Sequence, residues 1–135
     1  NFSKFAGEGR QRETAAISQA LKGMAKELKV PVLVLSQLSR APETREKTAV
    51  PKLSDLRDSG AIEQDADVVM LLRRPCKYKD DKESEDRRLA IVDIAKHRNG
   101  PTGEVRLNFE EHFTRFENRL EGVDSQPADP GEGQL

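Results

Sequence analysis

A chain of 135 residues in which 35% are hydrophobic and another 35% charged has room for one domain at most, built on a thin core. Its formal net charge of -1 excludes a bulk coater of nucleic acid, so any hold on a polyanion must come from a local patch or from several copies acting together. The single Cys76 cannot form an internal disulfide, the two histidines have no metal-ligand spacing, and no apolar run is long enough for a membrane span, so a cytoplasmic setting with no membrane partner and no metal site is expected.

Residues 1–9 have no periodic pattern and contain Gly7 and Gly9, which predicts a loop. From Arg12 to Lys29, the residues Ile17, Leu21, Met24 and Leu28 fall on one helical face, predicting an amphipathic surface helix. Val30-Pro31 ends it, and Val32-Leu33-Val34-Leu35 is a short apolar run of the kind buried in the middle of a parallel sheet. A helix followed by a buried strand is an α/β signature. Gln37 then stands at the carboxyl end of that strand, where open α/β sheets place ligand-binding side chains. Its amide either orients water or phosphate, or caps the strand as a polar entry to the next loop. Residues 39–52, with two prolines and no period, read as a long loop.

Leu53 to Gln64 predicts two short helical turns around Asp58-Ser59-Gly60, with Arg57 either on a functional loop or solvated at a helix-ending turn. Asp67 leads into Val68-Val69-Met70-Leu71-Leu72, a second buried strand. Residues 77–88 carry a charge run and read as a solvated excursion without assigned chemistry. From Leu89 to Phe109 a β-hairpin is expected: Val92, Ile94, Lys96 and Arg98 alternate onto one face, Asn99 to Gly103 supply turn chemistry, and Val105, Leu107 and Phe109 alternate again. Lys96 and Arg98 then point outward together, either toward a partner or ligand or merely into solvent. After Asn118 the chain is too poor in apolar residues to pack, so residues 119–135 are expected to be a disordered tail behind a folded unit at 10–118. A phosphate-cradling G-x-x-x-x-G-K-[ST] loop is absent.

In order, Leu33 to Arg40, Leu53 to Val69 and Ala95 to Gly103 resemble the last third of the motor domain of DnaB-type replicative DNA helicases, over roughly Arg10 to Phe116. The resemblance implies an α/β fold, the C-terminal portion of a RecA-like P-loop ATPase sheet with a terminal β-hairpin. It implies a homo-hexameric ring that hydrolyses ATP, with Mg2+, between neighbouring subunits and unwinds duplex DNA by moving along single-stranded DNA, with primase and a helicase loader as partners. Gln37 then matches the family's γ-phosphate sensor, and Lys96 and Arg98 the basic pair entering the neighbour's nucleotide site. Arg57, Asp58 and Gly60 match the channel loop that follows the DNA backbone, although the family more often has glutamate at the position of Asp58. In the family the phosphate loop, the catalytic glutamate and the magnesium-binding strand precede the position of Asn1. These residues are therefore expected to be a fragment of a longer helicase, inactive alone, marginally stable and with apolar surface exposed. A non-catalytic adaptor docking on a helicase ring and a RecA-like strand-exchange recombinase are the competing readings. The joint presence of Gln37, Lys96 and Arg98 opposes the first, and the pattern from Arg57 to Val69 opposes the second.

Overall fold

The computed structural model describes residues 2–38, 50–78 and 81–120. In chain order these form helix α1 (Phe2–Leu28), a 3-10 helix (Leu53–Ser59), helix α2 (Gly60–Asp65) and four strands, β1 (Val68–Arg73), β2 (Leu89–His97), β3 (Gly103–Glu110) and β4 (Arg115–Asn118). The strands make one antiparallel sheet in sequence order. β2 and β3 are the expected hairpin, with Val92 opposite Val105 and Ile94 opposite Gly103.

Directly opposed residues share a face of a sheet. Val69 and Leu71 of β1 pack on Leu56 of the 3-10 helix, with Leu38, Leu53, Ala66 and Ala95 around them. The other face carries Val68, Met70 and Leu72, and through the ladder Val92, Ile94 and Val105. Nothing among the described residues covers it: Met70 is 51% and Leu72 53% exposed. β1 therefore alternates between buried and exposed, and is not buried on both sides as its sequence predicts.

Three other expectations change. Residues 30–38 form neither helix nor strand and pair with no strand among the described residues, and Leu33 and Leu35 are 77% and 92% exposed. A parallel strand needs a neighbour reached by a crossover, and the sheet described is antiparallel throughout. The helix begins at Phe2 rather than after a loop at 1–9 and runs through both Gly7 and Gly9, each of which costs a helix roughly 1 kcal/mol, while the good helix formers around them, Lys4, Ala6, Glu8, Arg10 and Gln11, add little further cost. The α1 residues that turn inward are Thr14, Ala15, Ser18, Leu21, Lys22 and Ala25, while Ile17, Met24 and Leu28 stay exposed. Among the described residues α1 packs chiefly on the short α2 and to a lesser extent on the 3-10 helix. Most of the expected loop at 39–52, with Arg40, and residues 121–135 of the expected tail lie outside the described residues; Arg119, the first residue of that tail, is instead held by Asp86 at 2.8 Å and by Asn108 at 3.2 Å.

The charge run at 81–88 is not a free excursion. Asp81 pairs with Arg73, and Glu83 takes Arg106 through both oxygens at 2.6 and 3.1 Å. Ile91 lies between Arg73 and Arg106 in the ladder and is 0% exposed. The acidic run thus ties itself across the end of the sheet whose strands sequence periodicity does place.

α1 ends on Lys29 at φ 54°, with the Val30 amide donating to the Ala25 carbonyl at 3.2 Å. This six-to-one closure needs a left-handed residue, a conformation that glycine adopts without the Cβ penalty. Lys29→Gly should raise the stability of the chain by about 1 kcal/mol, read as an upward shift in the denaturant midpoint.

Candidate functional site

The site is set by an irregularity. Val69 opposes Lys96 but Met70 opposes Ile94, so Ala95 is an extra residue in β2, a β-bulge. Without it, Lys96 would follow Val92 and Ile94 onto the open apolar face, as strict alternation predicts. With it, Ala95 packs against the Val69–Leu71 cluster and Lys96 turns to the face occupied by the 3-10 helix and α2. The four residues Val92, Ile94, Lys96 and Arg98 therefore do not share a face.

Lys96 and Arg98 remain side by side, but they are engaged within their own chain. Lys96 Nζ donates to the carbonyls of Glu63 at 2.6 Å and Gln64 at 3.4 Å. Arg98 donates to the same Gln64 carbonyl at 3.3 Å, and its guanidinium stands 2.9 Å from Asp67 Oδ1. The Arg98 amide also donates to the Asp67 carbonyl at 2.8 Å. The carbonyls at the end of α2 have no helical partner, so two cations satisfy them. Half of the Arg98 side chain, 48%, remains accessible to a further anion.

Asp67 is the residue that sequence reasoning noticed only as a strand entry. Its Oδ1 also accepts from Lys22 Nζ at 2.7 Å, which links α1 to the end of β2, and Ser18 of α1 donates to Asp65 at 2.8 Å. The signal available in sequence was an acid flanking a strand whose partner ends in two cations, and it becomes specific only with the register.

Arg57 and Asp58 lie in the 3-10 helix, and Gly60 opens α2. This helix is seven residues long, unusual for a geometry that rarely persists beyond four. It is pinned at its start by the buried Asp55, whose carboxylate accepts the Lys52 amide at 2.7 Å. Gly60 has ordinary helical torsions, and a Cβ there would meet nothing within 4 Å, so neither torsion nor internal packing calls for glycine. The segment holding Arg57, Asp58 and Gly60 thus leads through α2 to the carbonyls that Lys96 and Arg98 bind. Gln37 is not brought to this cluster by any hydrogen bond: it is exposed on the irregular segment after α1, and its side chain has no hydrogen bond among the described residues.

The Lys22 hydrogen bond, outweighing the cost of partial desolvation and helped by the charges of Lys22, Arg98 and Lys26, holds the Asp67 carboxyl below its ordinary 3.8. Arg74 and then Lys77 lower Glu111 below 4.5. For Asp86 burial acts upward, but the Arg119 hydrogen bond and the amides of Arg88 and Leu89 prevail and lower it. Carboxyls depressed by folding add stability that is complete above their unfolded values and lost as pH falls through the folded ones. Denaturant midpoints should therefore be level above pH about 5 and fall progressively below pH about 4, and Asp67→Asn should flatten part of that fall.

Among the described residues no group of three His, Cys, Asp or Glu side chains could hold a metal ion, and no helix is long and apolar enough to cross a membrane. The cluster's chemistry is that of an anion site: a planar fork of donors beside an ammonium.

The sequence family described as the DnaB-like helicase C terminal domain matches residues 2–118. The chain is 46% identical over 124 residues to the replicative DNA helicase DnaB of Geobacillus stearothermophilus, covering 92% of this chain and 27% of that protein. It is 53% identical over 109 residues to the DnaB of Leifsonia xyli subsp. xyli, covering 81% and 23%. Among solved structures, a DnaB-like replicative helicase studied for its interactions with primase superposes with a TM-score of 0.76 at 48% identity, over 82% of this chain and 26% of that one. A second solved structure, of an ATPase domain, gives the same TM-score and identity, over 82% and 38%. The chain thus spans about a quarter of the length of the curated relatives it matches.

Proposed function

The chain belongs to the DnaB-like helicase C-terminal domain family, and on that premise we propose that it forms the carboxyl-terminal part of a replicative DNA helicase motor, which couples ATP hydrolysis to movement along single-stranded DNA in a homo-hexameric ring. The observation that carries this reading is the convergence of Lys96 and Arg98 on one carbonyl, that of Gln64, with the guanidinium half exposed. Of the five N–H donors of a guanidinium, the Asp67 and Gln64 contacts use two, which leaves donors for the terminal phosphate of a nucleotide held by the neighbouring subunit. Cations there offset the charge that develops on a phosphoryl group in transfer. Gln37 takes the role of γ-phosphate sensor, suited to an amide that can both donate and accept. Arg57, Asp58 and Gly60 form the segment that follows the DNA backbone, Gly60 allowing a phosphate to approach the main chain closely. The described residues fit the phosphate end of ATP and supply no ligand set for Mg2+. Primase and a helicase loader are the further partners of this reading, and the cytoplasm its location.

A chimera tests it directly. Residues 2–118 are placed in the Geobacillus stearothermophilus relative in exchange for the matching segment, and DNA-stimulated ATP hydrolysis and strand separation are measured. Retention of both activities, and loss of strand separation in Gln37→Ala with hydrolysis partly kept, is the expected result. A chimera that forms rings but neither hydrolyses ATP nor separates strands overturns it.

A further inference from the structure

We propose that Asp67 is the positioning residue of this motor: it holds Arg98 in the orientation from which the guanidinium meets the neighbouring subunit's nucleotide. The inference rests on the phosphate role assigned above to Arg98 and adds a residue to it. Two features of Asp67 act on Arg98, the backbone carbonyl on its amide at 2.8 Å and the carboxylate on its guanidinium at 2.9 Å. With its main chain fixed by the first contact and its guanidinium tethered by the second, Arg98 gives up rotamer freedom that a free arginine keeps, and that loss is taken before the nucleotide arrives. The Gln64 carbonyl fixes a second point of the guanidinium, so its plane is defined by two acceptors from the same chain. The bulge at Ala95 is what carries Lys96 to this side, and Lys96 takes the remaining α2 carbonyl, that of Glu63, leaving the Asp67 carboxylate to Arg98 and Lys22.

Lys22 shares the carboxylate, so a loss on changing Asp67 has two possible origins: a misplaced Arg98, or a loosened α1. Lys22→Met separates them, because it cuts the tie to α1 and leaves Arg98 its acceptor. The experiment uses the chimera described above, with ring assembly checked by sedimentation. The readouts are kcat and KM for DNA-stimulated ATP hydrolysis and the Kd of a fluorescent, non-hydrolysable ATP analogue. Asp67→Asn should lower kcat about tenfold with the analogue's Kd unchanged within about twofold, since orientation in the reacting complex is lost and binding is not. Asp67→Glu, which keeps the charge and folds under the same ion-pair network, should recover most of that loss. Lys22→Met should leave kcat within about twofold of the parent, and Asp67→Asn should add nothing to Arg98→Ala. Unchanged kcat in Asp67→Asn beside a large loss in Arg98→Ala overturns the positioning role and leaves the function standing. So does a loss that Lys22→Met reproduces in full. An Arg98→Ala chimera with undiminished hydrolysis defeats the phosphate role itself.

Discussion

Arg98→Ala in the chimeric helicase is expected to lower the rate of ATP hydrolysis by about 10³-fold or more, the range in which arginine fingers act on a transferring phosphoryl group. The effect belongs in kcat. In the proposed ring the nucleotide sits on the neighbouring subunit, so most of its binding contacts survive removal of the guanidinium, and KM should move by only a few-fold. Arg98→Lys should not rescue: Arg98 reaches Asp67 and the Gln64 carbonyl through two separate nitrogens of one rigid plane, and the single nitrogen of an ammonium cannot reproduce that fork or the position of the donors beyond it. Lys96→Ala should lose less, about 10-fold to 10²-fold, because its ammonium already donates to two carbonyls of its own chain and has only one proton to spare. Mixing Arg98→Ala subunits with unaltered ones gives the decisive reading. If the cation serves the neighbour's site, activity falls with the number of altered interfaces, and a mixture made of Arg98→Ala and Gln37→Ala subunits regains intact sites that neither parent has. A loss that stays within the altered subunit would remove Arg98 from the neighbour's chemistry.

The hairpin, the helix after residue 12, the paired helical turns from Leu53 to Gln64 and the strand at Val68 were all legible in the sequence, because each is written in local periodicity and turn chemistry. What was not legible depends on a second element. The alternation Val92, Ile94, Lys96, Arg98 gives no sign of the bulge, since an extra residue in a strand exists only relative to its partner's register. Sequence therefore put the two cations in the right place on the chain and on the wrong face of the sheet. The same holds for the acids. Asp67, Asp81 and Glu83 look like ordinary polar punctuation until the fold brings Arg98, Arg73 and Arg106 into ion pairs with them. The run Val32 to Leu35 shows the converse: four apolar residues describe a strand with neighbours on both sides, and among the described residues none is there to pair with it.

That contrast between the two faces of the sheet yields the second large effect. Ile91→Ala should destabilise the chain by roughly 2–5 kcal/mol, the range for deleting a fully buried aliphatic side chain where surroundings cannot collapse. Collapse is hindered here because the ladder neighbours of Ile91, Arg73 and Arg106, are each fixed by an ion pair, to Asp81 and Glu83, and are less free to shift into the vacated space than apolar side chains would be. Against a total stability of about 5–15 kcal/mol for an ordinary domain, such a loss is visible in any urea titration. Met70→Ala, on the uncovered face and half exposed, should cost less than about 1 kcal/mol in this chain alone. In the chimera the ranking should change: a contiguous apolar face of Val68, Met70, Leu72 and Val105 is the kind of surface that other parts of a protein cover, and Met70→Ala should then approach the cost of a core deletion. Equal costs for Met70→Ala in the two settings would mean that this face stays open in the assembled motor, and that the stability of the sheet rests on the Ile91 side alone.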